Sequence, residues 1–133
     1  MNFKEKITVI TPTFNRAHTL NRVYDSLLRQ SFKDFKWVIM DDGSTDHTEE
    51  VVGNFINENQ IKIEYYKNPN HKKFYTVFKA IQNVTTPYFT IIDSDDAYLD
   101  DALEILIREA DQLNPNKFIS VIGHSVNQNG KLV

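Results

Sequence analysis

Short apolar runs alternate along the chain with segments whose apolar residues recur at helical spacing. The runs are mostly free of charged residues, which is typical of strands that are buried on both faces. Five such strands are predicted, at Ile7–Ile10, Trp37–Met40, Ile61–Tyr66, Tyr88–Ile92 and Phe118–Ile122.

The segments between the strands predict helices. Their apolar residues lie three or four positions apart and therefore form one stripe along a helix. The predicted stripes lie within residues 20–28, 51–56, 74–84 and 103–113. Asp46, followed three residues later by Glu49, resembles a capping box and predicts where the second helix begins.

The alternation of strands and helices determines the expected fold. Crossovers between parallel strands in one sheet are right-handed, so the pattern predicts an α/β protein with a mostly parallel sheet covered by helices on both faces. With 133 residues and 41% hydrophobic content, we expect residues 1–133 to form a single domain. Ligands of such sheets bind in the crevice beyond the carboxyl ends of the strands.

Polar clusters follow three of the predicted strands directly. Residues 11–16 read TPTFNR, residues 41–46 read DDGSTD and residues 93–96 read DSDD. Because these strand ends meet at one edge of the sheet, the clusters should converge. The carboxylates of residues 93–96 repel one another and need a cation, and oxygen ligands favour Mg²⁺ or Mn²⁺. Such an ion would join these carboxylates to a diphosphate.

Simpler explanations exist for the acids of residues 93–96. They could form a loop that caps the helix near Asp100, and we assign that role to Asp96, Asp100 and Asp101. Asp93 and Asp95 alternate behind a buried strand, which aims them at the crevice, so we assign them to the site.

The other two clusters also have structural explanations. Gly43 suits a tight turn, but turn formation does not explain the two adjacent carboxylates before it. We place Asp42 in the crevice, as the acceptor for an imide N–H of a nucleobase. For Pro12, Phe14 and Arg16, a packing or surface role and a functional role are equally balanced.

Composition and missing motifs exclude several classes of protein. The net charge is −3 with both signs interspersed, which gives no cationic surface for nucleic acid. Without cysteines the chain has no disulfides, and neither a P-loop nor a dinucleotide fingerprint is present. The N-terminus lacks a signal peptide pattern, and no apolar run approaches the roughly 20 residues of a membrane span. We expect a cytoplasmic protein.

In this order and spacing, the three clusters resemble those of the family 2 glycosyltransferases of the GT-A fold, over nearly the whole chain. The resemblance implies inverting, metal-dependent transfer of a sugar from a nucleotide-diphosphate sugar, with UDP as the first choice, to a saccharide or a lipid-linked acceptor. A lipid-linked acceptor would bring the protein to the membrane surface. The implied nucleotide-binding residues are Pro12, Thr13, Phe14, Asn15, Asp42, Lys73, Asp93 and Ser94, and the implied Mn²⁺ or Mg²⁺ ligands are Asp95 and Asp93.

The chain also departs from the family pattern. Of the glycine-rich run before the metal motif only Asn70 and Lys73 match, and Phe78 stands where relatives carry a polar residue. The resemblance places the catalytic base beyond a strand like Phe118–Ile122, and the chain stops at Val133. The expectation is a nucleotide-sugar-binding part, truncated before the acceptor-binding part, that transfers sugar poorly. The alternatives are a non-catalytic binding or interaction domain and, last, a nucleotidyltransferase.

Overall fold

The computed structural model describes residues 5–69, 73–113, 120 and 123–132, with backbone alone at 73 and 74. Strands and helices alternate along these residues as the hydrophobic pattern predicts. They are β1 (Ile7–Thr13), α1 (Leu20–Leu28), β2 (Phe35–Asp41), α2 (Thr48–Glu58), β3 (Lys62–Lys67), α3 (Lys73–Gln82), β4 (Tyr88–Ile91) and α4 (Ala102–Asp111). The predicted strand at Phe118–Ile122 lies outside the described residues, apart from position 120.

The four strands form one parallel sheet in the order β3-β2-β1-β4. Helices cover both of its faces, since the hydrophobic residues form two separate clusters. One cluster holds side chains of α1, α2 and α4, and the other holds side chains of α3. The predicted parallel α/β sheet with helices on both faces is confirmed.

The larger cluster is built around Trp37 in the middle of β2. Its indole is fully buried and its Nε1 donates a hydrogen bond of 2.8 Å to the Thr11 hydroxyl of β1. Tyr24 of α1 and Phe55 of α2 stack over this region with their ring centroids 4.1 Å apart. Aromatic stacking and apolar burial therefore fix α1 and α2 against the centre of the sheet.

The smaller cluster lies under α3. Ile10, Val38 and Met40 alternate with the residues of the larger cluster along β1 and β2, because side chains of a strand alternate between faces. They contact Ala80 of α3, which is buried. This contact holds α3 across the first two strands and brings its N-terminal half toward their carboxyl ends.

Burial differs between the central and the outer strands. Every residue of β1 and β2 is buried, as predicted, but β3 and β4 are only partly buried, so the prediction of burial on both faces was wrong for them. They lie at the edges of the described sheet. An apolar run cannot by itself tell a central strand from an edge strand.

Two predicted boundaries shift. The strand β1 extends to Thr13, so Pro12 lies in the strand and not in the turn after it; beyond Ile10 the strand pairs with β2 alone, where proline is tolerated. The helix α2 begins at Thr48 with His47 at the N-cap, so the predicted cap at Asp46 was one residue early. The Asp46 carboxylate nevertheless accepts a 3.0 Å hydrogen bond from the Thr48 amide.

Candidate functional site

A cavity of about 290 Å³ lies beyond the carboxyl ends of β1, β2 and β4. All three polar clusters of the sequence contribute to it. Its lining residues are Pro12, Thr13, Phe14, Arg16, Asp42, Thr76, Asp93, Ser94 and Asp95.

Most of the predicted site residues therefore meet in one place. Asn15 is absent from the lining of this cavity, and the Lys73 side chain lies outside the described residues. Another cavity, of about 320 Å³, lies between α3 and the strands, with an apolar floor that includes Val38 and Met40. None of the predicted site residues lines it, so we take the first cavity as the candidate site.

Asn15 links the turns after β1 and β2. Its backbone lies in the left-handed region with φ 52°, which asparagine adopts more readily than most residues. Its side-chain oxygen accepts hydrogen bonds from the backbone amides of Thr45 at 2.8 Å and Asp46 at 3.3 Å. The backbone amide of Asn15 donates to the Ser44 hydroxyl at 2.8 Å. Asn15 thus fixes the walls of the cavity. Sequence reasoning missed this role because the partners lie about 30 residues away.

The adjacent carboxylates at the end of β2 have different environments. Asp41 is fully buried and accepts hydrogen bonds from the Ser44 amide at 2.7 Å and from the Tyr65 hydroxyl. Burial of Tyr65, together with this bond and the negative charge of Asp41, raises the pKa of the tyrosine well above its usual range. Asp41 therefore supports the turn, as part of a network that sequence reasoning did not identify.

Asp42 lines the cavity and is 8% exposed. One of its oxygens, Oδ1, accepts a hydrogen bond of 3.2 Å from the hydroxyl of Thr76 on α3. Thr76 also lines the cavity and is buried. Sequence reasoning missed Thr76, since its helical stripe was judged from apolar residues alone.

The turn after β4 carries the remaining carboxylates. Its Asp96 amide donates to the Asp93 carbonyl at 3.1 Å, and Arg22 of α1 donates from Nη1 to the Asp95 carbonyl at 3.0 Å. The helix that follows begins at Ala102 with Asp101 at the N-cap, but the Asp101 side chain makes no cap hydrogen bond. The Leu103 amide in the first turn instead donates to Gln30 Oε1 at 3.0 Å. Of the three predicted capping residues, Asp101 occupies the N-cap without the expected side-chain bond, and Asp96 and Asp100 are not the N-cap residue.

The donor set of this turn fits a divalent cation that is shared with a ligand. Asp93 and Asp95 line one cavity, and the buried hydroxyl of Thr13 beside them has no hydrogen-bond partner among the described residues. Over that same part of the chain, no three acidic or histidine side chains group closely enough to hold a metal by themselves. Mg²⁺ is typically held by one or two carboxylates together with substrate phosphates, and two carboxylates suit that arrangement.

The parallel sheet and the cavity at its strand ends fit the GT-A fold, and comparisons with solved structures support this class. Staphylococcus aureus TarS, residues 1–349, solved in complex with UDP, is 25% identical with a TM-score of 0.74, over 80% of this chain and 32% of that one. The mannosyltransferase PcManGT from Pyrobaculum calidifontis, in complex with GDP-Man and Mn²⁺, is 22% identical with a TM-score of 0.65 and covers 73% and 29%. The second likeness concerns the fold alone.

The model of glycosyl transferase family 2 matches residues 8–131, so the chain belongs to this family. The Campylobacter jejuni GalNAc(5)-diNAcBac-PP-undecaprenol beta-1,3-glucosyltransferase is 34% identical over 109 residues, which are 80% of this chain and 35% of that protein. Glycosyltransferase GlyA of Streptococcus pneumoniae is 32% identical over 79% of this chain and 15% of its own length. The chain thus spans about a third of the first relative and less of the second.

Among the helices that the structure describes, none is both long enough and apolar enough to cross a bilayer.

Proposed function

We propose that this protein binds a UDP-sugar at the strand-end cavity and takes part in a metal-dependent, inverting transfer of the sugar to an acceptor hydroxyl. The observation that carries the proposal is the convergence of three carboxylates, Asp42, Asp93 and Asp95, with one guanidinium, that of Arg16, around a single cavity. Family membership supports nucleotide-sugar transfer as the chemistry.

The charges of the cavity explain why a cation is needed. A diphosphate is anionic, and among the described residues that line the cavity three carboxylates face one arginine, so further positive charge is needed there. We assign Asp95 as the first metal ligand and Asp93 as the second, with Mn²⁺ or Mg²⁺ as the ion. When bound, the cation would neutralise the charge that develops on the departing diphosphate. Arg16 would supply a second positive charge on the same side.

The nucleoside would lie against the other wall. We assign Asp42 to the imide N–H of the base, Phe14 and Pro12 to apolar contact, and Ser94 with Asp93 to the ribose. Phe14 is 45% exposed, which leaves its ring face accessible for a ligand. UDP is proposed because TarS, at 25% identity, was solved with UDP.

The acceptor hydroxyl would attack the anomeric carbon as the diphosphate leaves, which inverts that carbon and requires a base for the hydroxyl proton. We assign no described residue to that base. The Campylobacter jejuni relative is named as a glucosyltransferase acting on a PP-undecaprenol substrate, and a lipid-linked saccharide is our proposed class of acceptor. Such an acceptor would bring the protein to the membrane surface.

Isothermal titration calorimetry with UDP tests the site. We expect UDP to bind at least about tenfold more tightly with Mn²⁺ than with a chelator, because a tenfold gain in affinity needs only about 1.4 kcal/mol of binding free energy. In Asp95→Asn this gain should disappear. The matched control, Asp96→Asn, removes a charge from the same turn at a residue that does not line the cavity, and it should keep the gain.

The alternatives give different results in the same experiment. Equal affinity with and without Mn²⁺, or an unchanged gain in Asp95→Asn, would contradict the metal assignment. If UDP does not bind at all, a non-catalytic interaction domain is favoured. Release of pyrophosphate from UTP would instead indicate a nucleotidyltransferase.

A further inference from the structure

The contact between α3 and the end of β2 goes beyond the site residues that the sequence singles out. The Thr76 hydroxyl donates to Asp42 Oδ1 at 3.2 Å, and both residues line the cavity. Thr76 is 1% exposed and Asp42 is 8% exposed. A polar pair is therefore buried beside the proposed position of the nucleobase.

The position of Thr76 is fixed by packing. Ala80 lies one helical turn further along α3, on the same side of the helix, and it is buried against Ile10, Val38 and Met40. Threonine is branched at Cβ, so its χ1 angle is restricted. The hydroxyl is thus held at a defined place relative to β2, and it can act as a fixed donor to the carboxylate.

We propose that Thr76 is a positioning residue that orients the Asp42 carboxylate for the imide N–H of the base. This inference rests on the proposed function, in which Asp42 accepts a hydrogen bond from the nucleobase. An ionised carboxylate has about four acceptor positions, so the Thr76 bond leaves capacity for a ligand. The Thr76 bond to Oδ1 would favour one orientation of the carboxylate.

The orientation of the carboxylate determines which bases fit. Uracil and thymine each present a single imide N–H, cytosine presents none, and guanine presents its N1–H and N2–H groups side by side. A carboxylate that Thr76 helps to hold in one orientation would meet a single donor in one preferred direction. Thr76 thereby contributes to the choice of base without contacting it.

The test compares UDP with its 3-methyluridine analogue, which lacks the imide hydrogen, by calorimetry in Mn²⁺. In the wild type the ratio of the two dissociation constants should be roughly 10 to 100, as for a hydrogen bond to a charged group. In Thr76→Val, a nearly isosteric change, the ratio should fall at least about threefold. In Thr76→Ser, which keeps the hydroxyl, the ratio should stay close to that of the wild type. A change that merely loosens the fold would weaken both ligands equally and leave the ratio unchanged.

The outcomes separate this inference from the proposed function. A wild-type ratio well above one that stays the same in Thr76→Val overturns the role of Thr76 and leaves the UDP site standing. A wild-type ratio near one overturns the base contact of Asp42 and this inference with it, even if UDP binds with Mn²⁺. Should Thr76→Val fail to fold, Thr76→Ala removes the same hydroxyl without adding a methyl group, and the same fall is expected.

Discussion

The turns after β2 and β4 both present carboxylates to the same cavity, but their carboxylates differ in burial. After β2, Asp41 is fully buried and Asp42 nearly so, and the side chains of Asn15, Tyr65 and Thr76 hydrogen-bond to this turn. After β4, Asp95 is exposed, and Arg22 reaches the carbonyl of that residue. The comparison indicates that the first turn is organised before a ligand arrives.

This difference matches what each turn is proposed to do. Recognition of a base requires an acceptor with a defined direction, and fixing it in advance avoids an ordering cost on binding. Metal binding depends first on charge, and an exposed carboxylate such as Asp95 can approach an ion that a diphosphate brings with it. In the proposed function, the turn after β2 would therefore select the base and the turn after β4 would hold the cation that neutralises the diphosphate.

The sharpest test of the comparison is to replace each of the adjacent carboxylates, Asp41 and Asp42, separately with alanine. Asp41→Ala leaves the Ser44 amide and the Tyr65 hydroxyl buried without their acceptor, so the free energy of unfolding should fall by about 2–4 kcal/mol. Asp42→Ala should cost less, about 1.5 kcal/mol, because Asp42 and Thr76 both line the cavity, where water can replace the lost acceptor of the Thr76 hydroxyl. Urea denaturation followed by circular dichroism measures both.

Tyr65→Phe serves as the control, since it removes one donor and retains the ring. The free energy of unfolding should fall less in Tyr65→Phe than in Asp41→Ala. UDP affinity should change far more in Asp42→Ala than in Tyr65→Phe. Equal losses of stability in the two aspartate variants would contradict the division between a supporting residue and a binding residue.

Much of the arrangement of the site follows from the sequence. Once the runs around Trp37 and Tyr88 are recognised as parallel strands, the carboxylates behind them must share one edge of the sheet. Asp42, Asp93 and Asp95 were placed together on that basis, and the structure brings them to one cavity. Their binding roles remain predictions.

What the sequence does not reveal are the contacts between segments distant along the chain. The bonds of Asn15 to the next turn, and of Thr76 to Asp42, depend on how loops and α3 lie over the sheet. Neither residue type is unusual at its position, so no local signal marks it. The exposure of β3 and β4 likewise depends on strand order, which an apolar run does not encode.

The turn after β4 can be examined through Arg22, which donates to the Asp95 carbonyl. Arg22→Met keeps the length and apolar character of the side chain and removes the donor. UDP affinity in Mn²⁺ should fall by about two- to fivefold, because the contact is exposed and worth at most about 1 kcal/mol. The free energy of unfolding should stay within about 0.5 kcal/mol of the wild-type value.

Arg29→Met is the matched control at the end of the same helix, where Arg29 pairs with Asp100 at 3.1 Å. Its UDP affinity should equal that of the wild type. If both arginine variants weaken UDP binding to the same extent, the effect is a general loss of positive charge and the Asp95 turn does not depend on Arg22.

The smallest expected effect concerns Asp46, in the turn after β2. Burial opposes its ionisation, but hydrogen bonds from the Thr48 hydroxyl and from the amides of Ala17 and Thr48 outweigh this and lower its pKa. A lowered pKa stabilises the fold above the ordinary value near pH 4, and this contribution is lost as the pH falls through the lower, folded value. The gap in urea midpoint between the wild type and Asp46→Asn should thus shrink below about pH 4.

Thr48→Val gives the complementary measurement, since it removes the hydroxyl donor and keeps the carboxylate. The pKa of Asp46, followed by NMR, should rise in this variant toward its ordinary value. Part of the pH dependence of stability below about pH 4 should be lost as well. An Asp46 pKa that is unchanged in Thr48→Val would mean that the backbone amides alone stabilise the ionised form. The acid dependence would then come from the bonds that the amides of Ala17 and Thr48 donate to the Asp46 carboxylate.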